Sequence, residues 1–105
     1  MLLDTTFAAL ADPTRRAIVE HLGRGASPVG DLAAPFDISA PAISRHLRVL
    51  ETAGLIVNTR QGKGRLCSLI PSPLVEARSW MDVQARFWSG SFDRLDQFIR
   101  ETSND

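Results

Sequence analysis

The chain has 105 residues, 44% hydrophobic, 23% charged and 7% aromatic, which suits one folded domain and excludes a disordered or fibrous chain. No apolar run reaches the roughly 18 residues that cross a bilayer, and Met1 to Leu10 lacks both a basic start and a long apolar segment; the expectation is a cytoplasmic protein with no membrane partner. One cysteine, Cys67, excludes an intrachain disulfide framework and a thiolate metal cage within one chain.

Formal net charge is zero, but the charges are not evenly spread. Residues 1–39 carry three Lys and Arg against five Asp and Glu, residues 40–70 five against one, and residues 71–105 four against six. Arg45, Arg48, Arg60, Lys63 and Arg65, opposed only by Glu51, therefore form a basic segment in a neutral chain. Local potential, more than the total, is what attracts a phosphate backbone.

Residues 1–11 read as a helix with Leu3, Phe7 and Leu10 on one face and Leu2 beside them, a face that needs a partner. Asp12 and Pro13 then match an N-cap followed by proline at the first helical position. They open a second helix through about Arg24, with Ala17, Ile18, His21 and Leu22 toward the core and Gly23 and Gly25 at its end. His21 has no second ligand at helical spacing, so it reads as a packing or surface histidine and not as a metal ligand or base. Ser27 and Pro28 repeat the cap-then-proline signal before a third, short helix with Val29, Leu32 and Ala33, ending near Pro35. Phe36 and Ile38 can pin the following turn into the core.

The stretch Ser39–Gly54 is the most informative. Ile43, Leu47 and Leu50 recur at steps of four and three and share a helix face. Ser39 is the N-cap; Pro41 removes one first-turn amide, so the serine oxygen must accept from Ala42. Gly54 supplies the stop. The opposite side carries small residues at Ala40, Pro41, Ala42 and Ser44, then Arg45 and Arg48. Such a face lets backbone approach base edges while an arginine fork bonds guanine or phosphate. His46, beside Arg45, reads as either a DNA contact or a packing residue. Two short helices about four residues apart, the second with this face, form a helix-turn-helix.

After Gly54, Leu55–Arg60 and Arg65–Ile70 read as strands around the turn Gln61–Gly64, a hairpin with a basic tip. Leu55, Val57 and Leu69 are the candidate core positions. The Gly-Lys-Gly tip lacks the longer phosphate-loop pattern; Lys63 between Arg60 and Arg65 fits contact with phosphate or the minor groove. Ser72 and Pro73 launch a long helix to about Glu101, roughly 45 Å at 1.5 Å per residue. One apolar stripe runs Leu74, Ala77, Met81, Trp88, Phe92, Leu95 and Ile99, and a second takes in Trp80, Val83, Phe87 and Phe98. That arc is broader than the short elements can cover, which predicts a dimer interface formed with Leu3, Phe7 and Leu10.

This order, α-α-α-α-β-β-α, is a mainly α fold with a small β-hairpin wing and a long C-terminal dimerisation helix. It resembles the winged helix-turn-helix repressors of the bacterial ArsR/SmtB family over nearly the whole chain. ALADPTRRAIVEHL looks like the family's opening two helices and SAPAISRHLRVLETAGLI like its recognition helix running into the first wing strand. The resemblance implies one domain over 1–105, with the helix-turn-helix at 28–54, the wing at 55–70 and dimerisation helices at 1–11 and 73–101. It places DNA contacts on Ser39, Ala40, Pro41, Ser44 and Arg45, with Arg48, Arg60, Lys63 and Arg65 on or near phosphates. Ala40 and Pro41 depart from the polar residues usual there and can offer only shape or apolar contact.

The family's thiolate sensors carry a cysteine pair where this chain has Ala33 and Ala34, and the terminal helix has no histidine. The likeness is thus to members without a recognised metal site, with no cofactor and an unassigned small-molecule or protein effector. The expected function is a homodimeric, sequence-specific repressor on an inverted repeat with half-site centres about 10 base pairs or a multiple apart. The alternatives are a metal-responsive repressor, a winged-helix module that binds protein, and an enzyme using Cys67. The last lacks a neighbouring acid or histidine in sequence.

Overall fold

The computed structural model describes residues 2–103. In order they form α1 (Leu2–Leu10), α2 (Pro13–Leu22), β1 (Ser27–Pro28), α3 (Val29–Ala33), a 3-10 turn (Ala34–Phe36), α4 (Ala40–Thr52), β2 (Ile56–Gln61), β3 (Gly64–Leu69) and α5 (Ser72–Ser103). The expected order is present, with the 3-10 turn and β1 added to it.

Two of the caps form as their residues dictate. Asp12 is extended and its side chain accepts from the Arg15 N–H at 3.0 Å, with Pro13 beginning α2. That backbone bond is the main cause holding the Asp12 carboxyl below its ordinary value. The helix ends at Leu22, two residues short of Arg24, because the Arg24 and Gly25 N–H groups tighten onto the i−3 carbonyls of His21 and Leu22 and Gly25 then turns away at φ +149°. In α4 the Ser39 hydroxyl oxygen accepts from the Ala42 N–H at 3.3 Å. At its other end Gly54 takes φ +75°, Leu55 N–H reaches the Leu50 carbonyl and Gly54 N–H the Glu51 carbonyl. This is a Schellman stop, and the left-handed φ explains the glycine.

The third expected cap is a strand. Ser27 and Pro28 pair antiparallel with β3, Ser27 opposite Cys67 and Pro28 opposite Leu66. Ser27 is 6% exposed and its hydroxyl donates to the Pro28 carbonyl. Pro28 sits at φ −58°, ψ 140°, an extended geometry open to proline on a sheet edge, where its missing N–H costs no ladder bond. Helix α3 accordingly starts at Val29 without a side-chain cap.

The sheet order is β1-β3-β2. Strands β2 and β3 join through Gly62 and Lys63, with Gln61 opposite Gly64 and Gly62 at φ +59°, the positive angle a two-residue hairpin requires. Ile56 is buried whereas Val57, expected in the core, is 41% exposed. Leu55 is buried from the loop ahead of the strand, as the residue that closes the α4 stop. The inward parity of β2 therefore begins at Ile56, and Val57 falls on the outer face.

Ile18 and Leu22 of α2, Leu32 of α3, Ile43, Leu47 and Leu50 of α4, and Leu55, Ile56 and Cys67 of the wing meet in one core, joined by Ala9. Leu10, Phe36, Ile38, Leu69 and Leu74 pack partly against it. Only the start of α5 shares this packing: Ala77 is buried, Leu74 half-buried, and Trp80 meets Phe7 edge-on at 5.9 Å. The rest projects outward. The extents are 74 × 27 × 22 Å and the radius of gyration 19.8 Å, against about 13 Å for a compact chain of this length.

Candidate nucleic-acid interface

Burial of Ile43, Leu47 and Leu50 fixes which way α4 faces. With that stripe against the core, Ala40, Pro41, Ser44, Arg45 and Arg48 are all exposed, as is the cap Ser39, while Ala42 turns partly inward. Small side chains occupy the first turn and the arginines follow one and two turns later, so the N-terminal end of the helix is its most approachable part. His46, one residue past Arg45, is half-buried and belongs to a different surface. Its Nδ1 lies 3.4 Å from an Arg15 guanidinium nitrogen and 3.8 Å from Asp12 Oδ2. Arg15 also donates to the carbonyls of Ala9 at 2.6 Å and Ala8 at 3.2 Å. This junction ties the C-terminal end of α1, the cap of α2 and the middle of α4 together. These contacts give His46 a packing role.

The wing stands beside the same face. Ser44, Arg48 and Arg65 line one cleft together with Glu51 and Asn58, and Asn58 donates to Glu51 Oε2 at 3.3 Å. That bond links β2 to the last turn of α4 and gives the acid of the basic segment a structural use. Arg60 lies directly opposite Arg65 in the ladder, and Lys63 is in the turn beyond them. Like charges opposite each other on a ribbon destabilise it. Arg45, Arg48, Arg60, Lys63 and Arg65 are exposed and make no ion pair or side-chain hydrogen bond among the described residues. The ribbon thus holds two like charges opposite each other with no ion pair to either among the described residues.

Comparison with known proteins agrees with this geometry. A helix-turn-helix domain family matches residues 10–59. The chain is 41% identical over 102 residues to the HTH-type transcriptional regulator Rv2034 of Mycobacterium tuberculosis, covering 97% of this chain and 92% of that one. It is 39% identical to the transcriptional repressor SdpR of Bacillus subtilis, covering 75% and 88% respectively. The crystal structure of an ArsR family transcriptional regulator, RHA00566, superposes with a TM-score of 0.79 at 38% identity, over 85% of this chain and 98% of that chain.

The chain belongs to the ArsR/SmtB family of winged helix-turn-helix transcriptional regulators.

In this ArsR/SmtB-family regulator Cys67 is fully buried, and burial, with the nearby Glu51 charge adding, pushes its thiol up to about 11. A protonated thiol under the sheet is the opposite of an activated nucleophile. Among the described residues no group of three or more His, Cys, Asp or Glu is placed to hold a metal ion, and no helix is long and apolar enough to cross a membrane. The apolar residues of the first helix divide: Leu10 packs on the core, Leu3 is half-buried and Phe7 stays partly open beside Trp80. On α5, Met81, Trp88, Phe92, Leu95 and Ile99 are all exposed in the single chain, as are Val83, Phe87 and Phe98. Trp88 contacts Phe87 and Phe92 with ring centres about 6 Å apart.

Proposed function

We propose that this regulator is a homodimeric transcriptional repressor, acting in the cytoplasm on an inverted-repeat operator. One recognition helix, α4, enters the major groove of each half-site, and one wing lies along the flanking backbone. The carrying observation is the α4 face: its apolar stripe is wholly buried, and the opposite face offers small residues and unpaired arginines beside a ribbon whose cations repel one another. The protein is one domain over 1–105, with the helix-turn-helix at 28–54, the wing at 55–70 and dimerisation helices at 1–11 and 73–101. Ser44 and Arg45 carry direct base readout; Ser39, Ala40 and Pro41 shape the approach; Arg48, Arg60, Lys63 and Arg65 hold phosphates. The name of the relative SdpR, a transcriptional repressor, supports repression as the outcome. Dimerisation rests on the uncovered stripe of α5 together with Leu3, Phe7 and Leu10.

Binding measured on the operator and on random duplex, each across a salt series, tests these roles. Arg45→Ala costs about 1–3 kcal/mol on the operator and narrows the gap to random duplex, as removal of a base reader does. Unchanged discrimination would remove Arg45 from base reading. Lys63→Ala weakens both duplexes alike and lowers the slope of log affinity against log salt by about one unit, the share of a single neutralised phosphate. A loss confined to the operator would instead make Lys63 a base reader. Binding to neither duplex at any salt would reject DNA as the partner and favour a protein-interaction module.

A further inference from the structure

A cleft of about 570 Å³ opens between α1, α2 and α4, within the roughly 300–1,000 Å³ of small-molecule sites. Ala8 of α1 and Val49 of α4 give it exposed apolar walls, with Ala9 and Ala53 buried at its floor. Val49 is 40% exposed, an apolar side chain of α4 left open to the cleft. Arg15, Arg45 and Arg48 also line the cleft, and no acidic residue among the described ones does. The Arg15 guanidinium is held by the Ala8 and Ala9 carbonyls and is a fixed cation; Arg45 and Arg48 have no partner among the described residues.

We infer that this cleft binds an amphipathic monocarboxylate, its apolar body against Ala8 and Val49, over the buried Ala9 and Ala53, and its carboxylate on the arginines of α4. Arg45 and Arg48, with no acid lining the cleft among the described residues, select an anion, and a guanidinium fork takes a carboxylate, as it does a phosphate, in two parallel bonds. A bare phosphate would leave the carbon-rich walls unused, so the ligand needs an apolar body. The consequence rests on the function proposed above: Arg45 and Arg48 also serve the operator, so a ligand that engages them competes with DNA directly. The bound acid is an inducer acting on the reading helix itself.

Calorimetric titration of the full chain with octanoate, in the absence of DNA, tests the site; octan-1-ol and octylamine share the chain length and differ in head group. Octanoate is expected to saturate at one per chain and to bind about tenfold tighter than the alcohol, with no binding of the amine. Ala8→Trp and Thr52→Trp each fill the cleft from an exposed position and abolish the heat of binding, while circular dichroism confirms that the helices persist. Saturating octanoate then weakens duplex binding by the native chain about tenfold or more and leaves that of Ala8→Trp unchanged. Absence of saturable binding, equal binding of octylamine, or octanoate binding that survives both tryptophan variants overturns the site. Binding that leaves duplex affinity unchanged overturns the competition. Because the titration contains no DNA, a chain that binds no duplex would fail the proposed function and still show whether the cleft takes the acid.

Discussion

Phe92→Asp yields a monomer in sedimentation at concentrations where the native chain is dimeric, and lowers operator affinity by about two to four orders of magnitude. Phe92 is 62% exposed on a helix that has already left the body of the chain. It sits in a stripe where Met81, Trp88 and Leu95 recur every seven residues and Phe92 and Ile99 repeat the same step, the period of a helix–helix seam. Each of these side chains is open to water in one chain, and burying a large apolar side chain is worth about 1.5–3 kcal/mol. A carboxylate placed in that seam is desolvated without a partner, and a symmetric pair incurs that cost twice. The monomer keeps its core, since no buried residue of the core cluster lies beyond Cys67. The loss on DNA follows because engagement of the second half-site is no longer intramolecular. A dimer that survives Phe92→Asp would place the interface on another surface.

Leu50→Ala destabilises the fold by about 2–5 kcal/mol in urea or thermal unfolding. Leu50 is fully buried at the point where α4 meets the core, and its carbonyl accepts the bond from Leu55 that ends the helix. Removing its side chain leaves a cavity below the last turn of α4, next to Ala53 and Leu55, whose own packing holds the backbone in place. Among two-state domains that loss is a large fraction of total stability. A change under about 1 kcal/mol would mean that the site collapses, and that the core does not fix the orientation of α4.

Much of this arrangement is legible in the residues because helix signals are local. Asp12-Pro13, Ser39 with Pro41, and Gly54 each state a cap or a stop within four residues of themselves. The period of Ile43, Leu47 and Leu50 states which side of α4 is buried, and with it which side is offered to solvent. What local signals cannot carry is pairing at a distance. Ser27-Pro28 reads equally as a helix start or an edge strand, and the choice is made by Cys67 and Leu66, far along the chain. Leu55, Ile56 and Val57 are three apolar residues in a row, so nothing in the run reveals that the strand starts at Ile56 and turns Val57 outward. The junction of Asp12, Arg15 and His46 is hidden for the same reason: its partners come from α2 and α4. The legible hint is an arginine three residues after a capping aspartate, close to the end of α1.

If α4 and the basic wing read an inverted repeat as a symmetric pair, the bound DNA must carry that symmetry. Selection of bound duplexes from a random library by the native chain, followed by footprinting of the enriched sequence, tests this most directly. The expected result is an enriched palindrome with half-site centres about 10 base pairs apart or a multiple of that, and protection of the major groove at each centre. Enrichment of a single unrepeated site, or of no sequence above the starting library, would contradict it.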